Sequence, residues 1–135
     1  MSDSVTSQVI HQDNNQYVIH LTSVSDGTGE SGVVKVDKSA MSITGQSPAV
    51  AVGHMAIAGI VGFVHGFNYV QLLWDHTSDD VALTVGPGNV DLDFSEWGFI
   101  NDPQSAGGTG DLILTSSGPT SGDIYDLIID VRFFP

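Results

Sequence analysis

Ile124-Tyr125-Asp126-Leu127-Ile128-Ile129-Asp130-Val131-Arg132-Phe133-Phe134 decides the fold class. Tyr125, Leu127, Ile129, Val131 and Phe133 fall on one side of a period-two pattern. Asp126, Asp130 and Arg132 fall on the other, with Ile128 the single apolar exception. Only an extended strand sends alternate side chains to opposite faces, so this stretch reads as part of a sheet with one buried and one wet face.

Shorter versions of the pattern recur upstream. A first strand is placed over Val5 to His11, a turn at Gln12-Asp13-Asn14-Asn15, and a hairpin partner over Tyr17 to Ser23. Ser25 to Gly32 reads as a loop. Gly32 to Asp37 alternates, which predicts Val34 and Val36 inward and Lys35 outward. Ser39 to Gly53 is poorly patterned and reads as a long crossing loop. Met55 to Val64 is a glycine-containing strand that Gly66 breaks or bulges. In Phe67 to Asp75, Val70, Leu72 and Trp74 share one face; Phe67, Tyr69 and Leu73 share the other. Apolar residues on both faces predict a central strand, or one covered by a neighbouring subunit. Val81 to Val85, Val90 to Phe94 and Leu112 to Thr115 complete the set, separated by Gly/Pro-rich turns. No segment of useful length shows helical spacing. The expectation is an all-β fold: a single jelly-roll-like antiparallel β-sandwich of eight or nine strands over 9–135. Residues 1–8 are read as a flexible arm.

Length and charge narrow the function classes. A chain of 135 residues suits one domain and buries roughly two-thirds of its unfolded surface without needing a metal or disulfide. It has no cysteine, which excludes thiolate-ligated zinc. Lys35, Lys38 and Arg132 stand against sixteen acidic residues, a net charge of −13. Nucleic acid and anionic membranes both need basic partners, so neither is expected to bind. Met1 to Gln8 lacks the basic and apolar blocks of a signal peptide. Ala49 to Val64 is too short and too interrupted by His54 and glycines to span a bilayer. Synthesis in the cytoplasm without export is the expectation.

Candidate chemistry is sparse. Asp26 with Glu30, Asp79 with Asp80, and Asp91 with Asp93 offer oxygens of the type calcium takes, but none has the spacing of a dedicated loop, and solvated turn carboxylates are the simpler reading. His11, His20, His54, His65 and His76 show no paired-ligand spacing. Asp75 and His76 are neighbours on a strand and so point to opposite faces, which argues against a catalytic pair. Gly107-Gly108-Thr109-Gly110-Asp111 lacks the ending of a phosphate loop and precedes a strand, so it reads as a tight turn. No catalytic, cofactor-binding or metal residues are assigned. Among the aromatics, Trp74 is expected in the core, while Trp97, Tyr69, Phe99 and at least one of Phe133 and Phe134 are candidates for a partner or sugar ring.

Several strings together resemble a family of small virion structural proteins of tailed bacteriophages. They are Tyr17 to Thr22 running into Ser25 to Ser31 and Val33 to Asp37, Leu73-Trp74-Asp75-His76 with Asp79-Asp80, Asp102-Pro103 through Ser105 to Asp111, and Gly122-Asp123 with Tyr125-Asp126. The resemblance covers roughly residues 9–132 and is poor between Ser42 and Val61. It implies a non-enzymatic capsid decoration, or cement, protein on the outer surface of the head. The implied partner is the major capsid protein, with self-association as a trimer or dimer. A carbohydrate- or receptor-binding β-sandwich, or a tail or neck protein, is the alternative.

Overall fold

The computed structural model describes residues 4–13, 15–43 and 50–135. In chain order its strands are β1 (Ser4–Gln12), β2 (Gln16–Asp26), β3 (Val33–Val36), β4 (Ser42–Ile43), β5 (Val50–Ala51) and β6 (His54–His65). There follow β7 (Tyr69–Trp74), β8 (Asp80–Val85), β9 (Gly88–Asp93), β10 (Ile100–Asn101), β11 (Leu112–Ser117) and β12 (Ser121–Phe134). Helical structure among the described residues is limited to two three-residue 3₁₀ turns, Lys38–Ala40 and Ser95–Trp97. The fold is all-β, and every strand pair is antiparallel.

One sheet runs β1-β2-β12-β6, with β9 and β10 both on the far edge of β6; the other runs β3-β11-β7-β8; β4 and β5 form a separate ribbon. β12 lies at the centre of the larger sheet, where the alternation of its sequence places it. Tyr125, Leu127, Ile129, Val131 and Phe133 are all buried, and the residues between them are half-buried. They meet Val70, Leu72 and Trp74 of β7 and Leu112 and Leu114 of β11 in one hydrophobic core. Removing this apolar area from water is the main stabilising term. β12 and β6 approach so closely that a Cβ at Gly62 (φ 148°) would lie 1.9 Å from the Asp126 carbonyl oxygen, so only glycine fits there.

Four expectations need correction. Among the described residues twelve strand segments replace eight or nine, because the two-residue pairings β4, β5 and β10 are too short to show a period. Val36 is buried as the alternation predicts, but Val34 is exposed and Lys35 buried, against it. A register shift between Leu112 and Ile113, opposite β3, breaks the period there. Buried Glu30 then takes the Lys35 ammonium at 2.6 Å and accepts from the Tyr125 hydroxyl. In the stretch 1–8, read as an arm, residues from Ser4 onward are paired along β2, from Ser4 opposite Val24. An unpatterned segment also proves partly ordered: within 39–53, β4 pairs with β5, while 44–49 lie outside the described residues.

Candidate functional site

Two places stand out, one at the loop end of the sandwich and one at its edge. The loop end begins with the glycine-rich stretch. Thr77 N donates to the Ala106 carbonyl at 3.1 Å and Gly110 N to the Asp75 carbonyl at 2.8 Å. Gly107 and Gly108 have φ of 74° and 69°, and a Cβ on Gly108 would lie 2.4 Å from the Asp75 carbonyl oxygen. The loop therefore lies directly on the turn after β7, as a tight turn, and closes over His76.

His76 is buried. Its Nδ1 is 2.9 Å from the Gly107 carbonyl oxygen; its Nε2 is 2.6 Å from Asp102 Oδ1 and 3.9 Å from Asp80 Oδ2. Asp75, its chain neighbour, accepts from Thr109 Oγ1 at 2.7 Å; both residues lie beyond the end of β7, in a turn and not on a strand as the sequence suggested. Burial disfavours the imidazolium, but the Asp102 hydrogen bond, the Gly107 carbonyl and the charges of Asp102 and Asp80 together hold the His76 pKa above its ordinary value. Sequence reasoning did not pair these residues, because Asp102 is 26 positions from His76 and no spacing rule links a strand end to a distant loop. The one available signal was Asp102 standing before Pro103, where a turn side chain is held in place.

The other carboxylate pairs do not converge. Asp26 caps Thr28 through its backbone N at 3.1 Å, whereas Glu30 turns into the core toward Lys35. Asp93 accepts from Ser95 N at 2.9 Å and Asp91 lies exposed on β9. The remaining histidines are scattered; His20 Nε2 meets Asp126 Oδ1 at 2.5 Å on the outer face, and His54 stacks on Phe134 at 5.0 Å.

The edge site is β1. Among the described residues it pairs only with β2, so one row of its backbone N–H and C=O groups faces outward. Its nine residues, SVTSQVIHQ, contain no Lys, Arg, Asp, Glu or Pro, the residues that usually block such an edge. Val9 and Ile10 are 44% and 52% exposed, beside a register shift between Val9 and His11. On the other edge of the molecule Trp97 is 75% exposed, next to Phe94 at 6.1 Å. Phe99 (φ 69°) is backed by Phe134 and by Arg132, which lies 5.6 Å over its ring. Trp74 and Phe133 are in the core, Phe134 is half-buried and Tyr69 is partly exposed.

No family model, curated protein or solved structure matches the chain.

Proposed function

We propose that the chain is a non-enzymatic virion structural protein of a tailed bacteriophage: a decoration or cement protein that binds the outside of the head and bridges major capsid subunits. The observation that carries this reading is β1, a nine-residue uncharged edge strand with two exposed apolar side chains. A free edge of this kind takes up a further strand from another chain, main-chain hydrogen bonds giving affinity and side-chain pockets giving specificity. The major capsid protein, the partner that the resemblance to phage virion proteins implies, is our candidate for that chain.

Topology supports the same reading at a finer level. β2-β12-β6-β9 stands against β3-β11-β7-β8, and among these eight strands the chain changes sheet at every connection but β7 to β8. That order fits an eight-stranded jelly roll, an architecture common to viral capsid and lectin domains. Fold alone does not choose between those uses; the bare edge favours docking to protein. The net charge of −13 suits an outward surface that does not bind the genome and resists nonspecific aggregation. It also implies a more basic docking patch on the shell. About 800 Å² per partner makes a standard interface, and a dimer or trimer at a symmetry axis would add avidity.

Cryo-electron microscopy of the intact particle tests the proposal. The expected result is density of this size outside the shell, across a joint between capsid subunits, with β1 at the contact. Density in the tail or neck, or none, rejects head decoration. A second reading, a carbohydrate-binding module, is favoured by one observation, the exposed Trp97 beside Phe94. A glycan array separates the two, since specific glycan binding lost on Trp97→Ala supports the module and rejects a purely structural role.

A further inference from the structure

We propose that His76, Asp80 and Asp102 form a binding site for one divalent first-row transition ion, of the Zn(II) or Mn(II) class, which clamps the turn after β7 to the loop before β11. This inference stands on its own geometry and holds whether or not the chain decorates a phage head.

One potential ligand atom from each of the three side chains lies within 4.8 Å of the others. The imidazole is oriented from behind. A carbonyl can only accept, so the 2.9 Å contact to the Gly107 oxygen places the proton on Nδ1 and turns Nε2 toward the two carboxylates. Ligating histidines are commonly held this way, the second nitrogen donating to a backbone carbonyl. A neutral Nε2 lone pair facing a carboxylate oxygen at 2.6 Å is repulsive, so something positive must lie between them. A second ring proton is the simplest answer, but it is incomplete. It serves Asp102 Oδ1 and leaves Asp102 Oδ2 and Asp80 Oδ2 buried with no hydrogen-bond partner in the protein.

The Asp102 side chain is only 1% exposed, so an unanswered oxygen there is costly. Lys38 reaches the same corner: a Cβ on Gly110 would lie 3.0 Å from its Nζ and 3.3 Å from Asp102 Oδ2. Yet the ammonium donates to the Gly53 carbonyl at 3.2 Å. A divalent ion would answer both carboxylates and the imidazole together, once Nε2 and Asp102 Oδ1 part from 2.6 Å to the roughly 3 Å that two ligands of one ion need. One nitrogen and two carboxylates form a borderline set that suits Zn(II) or Mn(II) better than Ca(II), which prefers six to eight oxygens. The ion would complete its coordination with water or a partner group, which Asp80, 31% exposed at the mouth, leaves room for.

The test uses the full chain, stripped with chelator and dialysed at pH 7.5. Titration calorimetry with Zn(II), Mn(II) and Ca(II) is read alongside thermal melting. The expected result is one equivalent of Zn(II) or Mn(II) bound and Ca(II) bound far more weakly. At a hundredfold excess over Kd the melting temperature should rise by roughly 5–10 °C. Asp80→Asn, partly exposed and nearly isosteric, should fold normally and lose affinity at least about tenfold. Lys38→Met should bind as well as the parent or better. Failure of both transition ions to bind overturns the site and leaves a histidine–carboxylate ion pair only. Binding that Asp80→Asn and His76→Gln leave unchanged assigns the ion to surface carboxylates and overturns it equally.

Discussion

β2 has a neighbour on each side, and the two neighbours differ in everything but geometry. β12 alternates between buried and half-buried residues from Asp123 to Phe134, and Tyr125, Leu127, Ile129, Val131 and Phe133 of its inner face belong to the core shared with the second sheet. β1 has Val5, Ser7 and Val9 opposite Ser23, Leu21 and Ile19, the inward row of β2, yet Ser7 and Val9 are exposed and Val5 only half-buried. The larger sheet is wider than the four-stranded sheet it faces, so β1 overhangs the core. The difference teaches that backbone pairing and burial are separate terms. β12 contributes stability through both, whereas β1 is held mainly by its ladder and leaves apolar surface and an open edge for something else.

Substitutions can break that contrast, beginning at the centre. Gly62→Ala drives a Cβ into the Asp126 carbonyl across the β6–β12 ladder. It should cost on the order of 4 kcal/mol or more, read by denaturant unfolding. Lys35→Met should come next, at about 3–5 kcal/mol, because it strands Glu30 in the core. The double variant Lys35→Met with Glu30→Gln should recover part of the loss, and a double-mutant cycle measures the coupling.

His76 lies outside both strands and gives a smaller, pH-dependent effect. Its folded pKa is raised above the ordinary 6.5, so the proton binds the folded state more tightly. In the presence of chelator, its contribution to stability should be full below about pH 6.5 and disappear as pH rises through the folded value. The difference in melting temperature between the parent and His76→Gln should therefore shrink from pH 6 to pH 8. A difference that stays flat would remove the ion pair from the account of this corner. The smallest effect on stability belongs to the edge: Val9→Lys and Ile10→Lys together should shift stability by no more than about 1 kcal/mol, since neither side chain is in the core.

The same contrast explains what could be read from the residues alone. Periodicity placed β12, β2, β6 and β7 and put Trp74 in the core, because a long strand with one dry face writes its environment into every second residue. Lys35 defeated it, since the register shift opposite β3 turns Val34 out and Lys35 in while Val36 stays inside, and Glu30, five positions away, makes the buried charge tolerable. The His76 corner was illegible for a different reason. Its three side chains come from the turn after β7, the first residue of β8 and a loop beyond β10, and nothing local relates their positions. At β1 the letters were legible as a strand, but its uncovered position depends on the width of the opposite sheet, a property of the whole fold.

Equilibrium binding to expanded phage heads stripped of their decoration tests the docking role of β1 most directly, comparing the parent with the Val9→Lys, Ile10→Lys variant. An edge that docks predicts saturable binding of the parent at fixed stoichiometry, weakened by added salt, and a loss of roughly tenfold or more in the variant with its melting temperature nearly unchanged. A parent protein that fails to bind, or a variant that binds as tightly, would contradict it.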